Sequence, residues 1–161
     1  NDNSLKILEQ FQKKDNRIKI ITQKNSGAGK ARNVGIESAN GEFLYFLDSD
    51  DYIERDTVEV LYNNLIDNHA DISVCNYHML DEKTGIKDKE ITINEGVWDR
   101  QTFWENYYSR NQLYCVIVCN KLFKRELFDG IEFLNHLRKS PCSERCKNYN
   151  VQKSERIGAE E

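Results

Sequence analysis

Five apolar residues, Phe43-Leu44-Tyr45-Phe46-Leu47, run without a break into Asp48-Ser49-Asp50-Asp51. No other stretch restricts the fold as strongly. A short unbroken apolar run predicts a strand buried on both faces, as in a parallel sheet covered by helices. In extended chain Asp48 and Asp50 point to the same side. Neighbouring carboxylates repel, and a divalent cation relieves the repulsion. Mg²⁺ or Mn²⁺ held by one or two carboxylates completes its shell with water and substrate phosphate oxygens. Ligands of open α/β sheets sit outside the carboxyl ends of the strands, where these acids fall. A turn followed by a helix cap is the competing reading, because Asp favours both. The stretch alone leaves both open.

The flanking pattern alternates. A helix capped by Asp2 or Ser4 carries Leu5, Ile7, Leu8 and Phe11 and ends at Lys13 to Asn16. Arg17–Thr22 reads as a short strand and Gln23–Gly29 as a loop. Ala28–Ala39 reads as a helix, and Asn40-Gly41 as a turn into the opening strand. A second long helix is predicted over Ile53–Asn68, with Val58, Leu61, Leu65 and Ile66 on one side. Strands are expected at Asp71–Tyr77 and Glu90–Asn94, with a turn at Asp81–Gly85 between them. Asp99 caps a helix through about Ser109. An apolar run at Leu113–Cys119 leads into a mixed strand or helix start at Asn120–Phe128. Alternating helices and strands predict a layered α/β domain over residues 1–133. Beyond Leu134 apolar residues become single and aperiodic, and the only proline, Pro141, occurs there. Residues 134–161 are therefore expected to form a polar, poorly packed tail.

With 161 residues the chain suits one domain with a real core. The formal charge of −4 argues against nucleic acid as a partner, but not against a small anion that brings its own cation. No apolar run approaches the roughly 18–20 residues of a membrane-spanning helix. Five cysteines without a secretion signal suggest free thiols in a reducing, cytoplasmic compartment. Cys115-x3-Cys119 and Cys142-x3-Cys146 are spaced as zinc ligands can be. However, Cys115 and Cys119 lie in an apolar run where a buried structural thiol is the commoner case. His69, His78 and His136 form no cluster in the sequence.

Asn25-Ser26-Gly27-Ala28-Gly29-Lys30-Ala31-Arg32 is a glycine-rich turn into a helix. It is not a Walker A loop, since Ala31 stands where Ser or Thr is needed and Lys24 where the first glycine belongs. It is not G-x-G-x-x-G either, because Arg32 replaces the third glycine. What remains is a helix start whose N–H groups favour anions, with Lys30 and Arg32 in its first turns. A plain capped helix with solvated basic residues explains it equally well. Asp48-x-Asp50 after an apolar strand is also weakly similar to haloacid dehalogenase-like phosphatases. Tyr52 departs from that pattern, which has Thr or Val there.

Taken together, Asn25 to Ile36, Ala39 to Asp51 and Asn120-Lys-Leu-Phe-Lys-Arg-Glu-Leu-Phe128 resemble the family 2 glycosyltransferases of the GT-A fold, over about residues 1–133. The resemblance implies an α/β/α layered nucleotide-diphospho-sugar transferase domain. It implies inverting transfer of a sugar from a nucleotide-diphosphate donor, most often UDP-linked, to a saccharide or lipid-linked acceptor in bacterial polysaccharide biosynthesis. Asp48 and Asp50 match the family's Asp-x-Asp, where the second acid contacts Mn²⁺ or Mg²⁺ and the first lies near the ribose and the metal. Arg32 matches the arginine of the helix that faces the donor. Peripheral association of the parent protein with the inner face of the membrane is a further expectation.

Two departures accompany the resemblance. Asn1-Asp2-Asn3-Ser4 resembles the end of the family's second strand, so an N-terminally truncated fragment is expected, with exposed apolar edges that favour self-association. The family's catalytic base usually lies in an acidic pair soon after a stretch like Gly130-Ile-Glu-Phe133. Here no acid follows until Glu144, so no catalytic base is assigned. The alternative is a non-catalytic remnant that only folds or binds a cation or nucleotide weakly.

Overall fold

The computed structural model describes residues 2–80, 87–91, 95–108, 117–133 and 148–152. Helices α1 (Ser4–Lys14), α2 (Ala28–Ser38), α3 (Thr57–Asp67) and α4 (Arg100–Tyr108) alternate with strands β1 (Phe43–Tyr45), β2 (Ile72–Cys75), β3 (Tyr77–Leu80), β4 (Lys87–Ile91), β5 (Gly96–Asp99), β6 (Lys121–Lys124) and β7 (Asn148–Gln152). The main sheet has the order β1-β6-β2-β7-β5, while β3 and β4 form a separate antiparallel pair. The sheet is mixed: β6 runs antiparallel to β1 and β2, β7 parallel to β2, and β5 antiparallel to β7.

Register sorts the side chains into two layers. Leu44, Phe123 and Ile72 are cross-strand partners and share one face. Phe123 and Ile72 are buried there with Val74, Trp98, Phe103, Val118, Leu127 and Phe128, and half-buried Leu44 and Ile36 of α2 pack against them. The residues between them face the other way. Leu122 and Cys75 join Leu61 and Leu65 of α3, with Phe43 and Tyr45 packed alongside. Helix α3 thus covers one face, and α2, α4 and the segment after β6 cover the other, giving the expected layered α/β arrangement. Lys124 and Asp71 close the α3 side with an ion pair at 2.9 Å.

Several sequence expectations need correction. Residues 17–22 form no strand among the described residues, and Arg17 lies in the turn that follows α1. Ile18 and Ile20 are half-buried while Arg17, Lys19 and Ile21 are exposed, so the period of two is present and the ladder partner is not. The strand before the acids is shorter than its apolar run, and β1 is only half-buried. It pairs antiparallel with β6, and Leu47 is exposed. The apolar run therefore marks an edge strand, not a central parallel one, because β6 supplies its one described neighbour. Helix α3 starts at Thr57, not Ile53, since residues 54–57 close a turn of their own just before it, the Thr57 N–H donating to the Glu54 carbonyl at 3.2 Å. Its Val58 and Ile66 are exposed, and Leu61 and Leu65 alone carry its buried side. The strand expected at Glu90–Asn94 begins earlier, as β4, and Gly96–Asp99 is an additional strand. Asp99 does cap α4, its Oδ1 accepting the Thr102 N–H at 2.8 Å. Within the expected tail, Asn148–Gln152 forms β7 between β2 and β5. Backbone groups can complete a ladder whatever the polarity of the surrounding sequence.

Candidate functional site

The site begins at the turn into α2. Gly27 occupies the helix N-cap with φ 89°, a conformation that side-chain-bearing residues rarely adopt. Asn25 Oδ1 accepts the Gly27 N–H at 3.2 Å, and Ser26 Oγ donates to the Lys24 carbonyl at 3.0 Å. These local bonds fix the direction in which α2 leaves. Buried Gly29 lies in its first turn. One turn on, Arg32 Nη2 donates to Asp48 Oδ1 at 2.8 Å. Its guanidinium also lies over the Phe133 ring, 5.7 Å from the centroid. The loop–helix unit and the first of the carboxylates after β1 therefore meet in three dimensions.

The carboxylates are not extended. Asp51 N–H donates to the Asp48 carbonyl at 3.1 Å, closing a turn. The turn replaces the same-side geometry expected of a strand. It brings Asp48, Asp51 and Cys119 together, with one ligand atom from each within 4.8 Å of the others. Asp50 is exposed and is not part of that trio. The Cys119 thiol is pushed above its ordinary pKa, chiefly by burial and then by the Asp51 and Asp48 charges, with the Lys121 charge opposing.

Long-range contacts hold Cys119 there. Asn120 Nδ2 donates to the Cys75 carbonyl at 2.8 Å, and the Cys75 N–H donates to the Asn120 carbonyl at 3.0 Å. Lys121 is buried, and its Nζ donates to Asn120 Oδ1 at 2.8 Å and to the Ile117 carbonyl. The start of β6 is thereby tied to the end of β2. Burial raises the Cys75 thiol to about 11, which suits an inert core cysteine.

The donor set fits a divalent cation. Two carboxylates are hard ligands suited to Mg²⁺ or Mn²⁺, and the thiol adds a softer donor. By sequence, Cys119 is a candidate only for zinc, beside Cys115, and nothing there joins it to Asp51. Asp51 stood inside the acid cluster, whereas Cys119 lies 68 positions beyond Asp51 and only the fold joins them. Of the four cysteines considered as zinc ligands, Cys115, Cys142 and Cys146 lie outside the described residues.

The sequence model of glycosyl transferase family 2 matches residues 1–131. The chain belongs to this family. Among curated relatives, the glycosyltransferase GlyA of Streptococcus pneumoniae is 36% identical over 138 residues, covering 82% of this chain and 20% of that protein. GlyG of the same organism is 32% identical over 148 residues, covering 85% of this chain and 48% of that protein. The chain thus spans at most about half the length of these relatives. The crystal structure of Staphylococcus aureus TarS superposes with a TM-score of 0.71 at 22% identity, over 96% of this chain and 28% of that one. TarS 1–349 in complex with UDP gives 0.63 at 22% identity, over 94% and 48%. The fold is the GT-A type expected from the sequence.

Proposed function

We propose that the protein to which this chain belongs transfers a sugar from a nucleotide-diphosphate donor, UDP-linked by analogy with the UDP complex of TarS, to an acceptor hydroxyl. The observation that carries the reading is the 2.8 Å ion pair joining Arg32, on the helix after the glycine-rich loop, to Asp48 at the end of β1. It unites the two most specific stretches of the family resemblance in one site. Asp48 would hold the cation together with Asp51 and Cys119, with exposed Asp50 the remaining carboxylate of the same turn. When bound, Mn²⁺ or Mg²⁺ supplies positive charge to the diphosphate as it leaves. Arg32 orients Asp48 and adds a fixed cation beside it. The acceptor hydroxyl would attack the anomeric carbon from the face opposite the diphosphate, form the new glycosidic bond as the old C–O bond breaks, and pass its proton to a carboxylate base. Inversion follows from that single displacement. A saccharide or lipid-linked acceptor, presented at the cytoplasmic face of a membrane, suits such a reaction.

For the 161-residue chain we propose cation binding and weak nucleotide binding without turnover. A reaction without a positioned general base is slower by about 10²–10⁴-fold. Calorimetric titration with UDP in Mn²⁺ and in EDTA tests the reading. Binding that needs Mn²⁺ and is lost in Asp48→Ala is expected. Binding that is equal in EDTA and unaffected by Asp48→Ala overturns it. Incubation with Mn²⁺ and a panel of UDP-sugars should release UDP at the no-protein rate. Release well above that, abolished by Asp50→Ala, would show a complete site, and the base would then be sought among Asp129, Glu132 and Glu144.

A further inference from the structure

Asn33 follows Arg32 on α2 and faces a segment one hundred positions away in the chain. Its Oδ1 accepts the Phe133 N–H at 2.8 Å, and its Nδ2 donates to the Phe133 carbonyl at 3.1 Å. One side-chain amide thus satisfies both backbone groups of one residue, as a facing strand residue would in an antiparallel ladder. Residues 131–133 belong to no strand, so the amide supplies what a ladder would otherwise provide. Asn is an indifferent helix former, and propensity alone gives no reason for it in the middle of α2.

The clamped residue closes a ring of contacts around the site. The Phe133 ring meets Phe46 edge to face at 5.5 Å and stacks on Phe128 at 6.0 Å. Phe46 is two residues before Asp48. The other face of the circuit is Arg32, which lies over the Phe133 ring while donating to Asp48. A guanidinium held on one side by a carboxylate and on the other by a fixed ring has little orientational freedom.

We propose that Asn33 is a positioning residue: by pinning the Phe133 backbone it fixes the ring on which Arg32 rests, and so holds the Arg32–Asp48 pair in register with the chain that leaves at residue 133. The proposal deepens the donor-site reading and takes its functional meaning from it. Its test requires no nucleotide, so its failure and the failure of that reading are distinguishable.

The test follows two signals by NMR in the full chain: the hydrogen exchange of the Phe133 amide, and the Arg32 side-chain Nε–H resonance, displaced by the Phe133 ring. In Asn33→Ala, Phe133 exchange should rise about ten- to a hundred-fold for two lost hydrogen bonds, and the Arg32 resonance should move toward its solvent-exposed position. Asn33→Asp keeps the acceptor for the Phe133 N–H and loses the donor, so its exchange should lie between. Phe133→Leu leaves the amide clamp and removes the ring. It should keep the slow exchange and lose the Arg32 displacement. A residue that only stabilised the fold would lower the unfolding midpoint without moving the Arg32 signal below the transition. An unchanged Arg32 signal, whether in Phe133→Leu or in folded Asn33→Ala, overturns the proposal.

Discussion

Helices α1 and α3 have the same length and a comparable one-sided apolar pattern, yet they sit in opposite environments. α3 buries Leu61 and Leu65 to 1% exposure against β2 and β6. α1 buries nothing, and Leu5, Ile7, Leu8 and Phe11 are each about half exposed. Periodicity therefore specifies that a helix has a side to bury but not what lies against that side. The contrast extends to strands. β6 has neighbours on both sides and carries fully buried Phe123. Residues 17–22, next to α1, have no ladder partner among the described residues.

The largest predicted effects sit at the packed end of the comparison. Phe123→Ala should cost about 3–5 kcal/mol and Leu61→Ala about 2–5 kcal/mol in urea unfolding. Leu8→Ala or Phe11→Ala should stay within about 0.5 kcal/mol, as for exposed positions. An α1 substitution as costly as Leu61→Ala would break the contrast and require a partner for that face.

The second prediction concerns association. An exposed apolar helix face favours contact between copies. The chain should self-associate in light scattering, and Leu8→Glu with Phe11→Glu should reduce its apparent mass with little change in melting temperature. A monodisperse unsubstituted chain would show that the face is harmless as it stands.

How much of this was legible in the sequence follows the same division. Helices α1, α2, α3 and α4, the cap at Asp99 and the strand at Phe43 were readable because each rests on local periodicity or on one capping side chain. Arg32 and Asp48 stood out through their motif context, and the fold puts them in contact. β5 and β7 were not, since strands of four or five residues depend on partners supplied by distant chain. Asn148-Tyr-Asn-Val-Gln152 alternates polar and apolar residues, a signal too short to outweigh its charged surroundings. The pairing of Cys119 with Asp51, and of Asn33 with Phe133, is tertiary and left no local pattern.

A smaller effect should appear beneath α3. Ser73 is fully buried, and its Oγ has no hydrogen-bond partner among the described residues. A buried hydroxyl left without a partner is costly, so Ser73→Ala should be neutral or stabilising by about 1 kcal/mol in the same unfolding experiment. Clear destabilisation would mean that the hydroxyl is satisfied.

The smallest predicted effect is a pH dependence at α4. The Thr102 N–H lowers the Asp99 pKa below its ordinary 3.8. A depressed folded-state pKa contributes stability that is fully present above 3.8 and is lost as pH falls through the lower folded value. Asp99→Asn should flatten the acid limb of the stability curve in that window, read by helix circular dichroism. An identical acid limb in the variant would remove Asp99 from the account.

The chain belongs to glycosyl transferase family 2, and we propose the turn after β1 as its divalent-cation site. Titration of the labelled chain with Mn²⁺, with paramagnetic broadening followed residue by residue, tests it most directly. Selective broadening at residues 48–51 and at Cys119, abolished in the Asp48→Asn/Asp50→Asn double variant, is the predicted result. Broadening of equal strength in that variant, or broadening centred away from these residues, would contradict it.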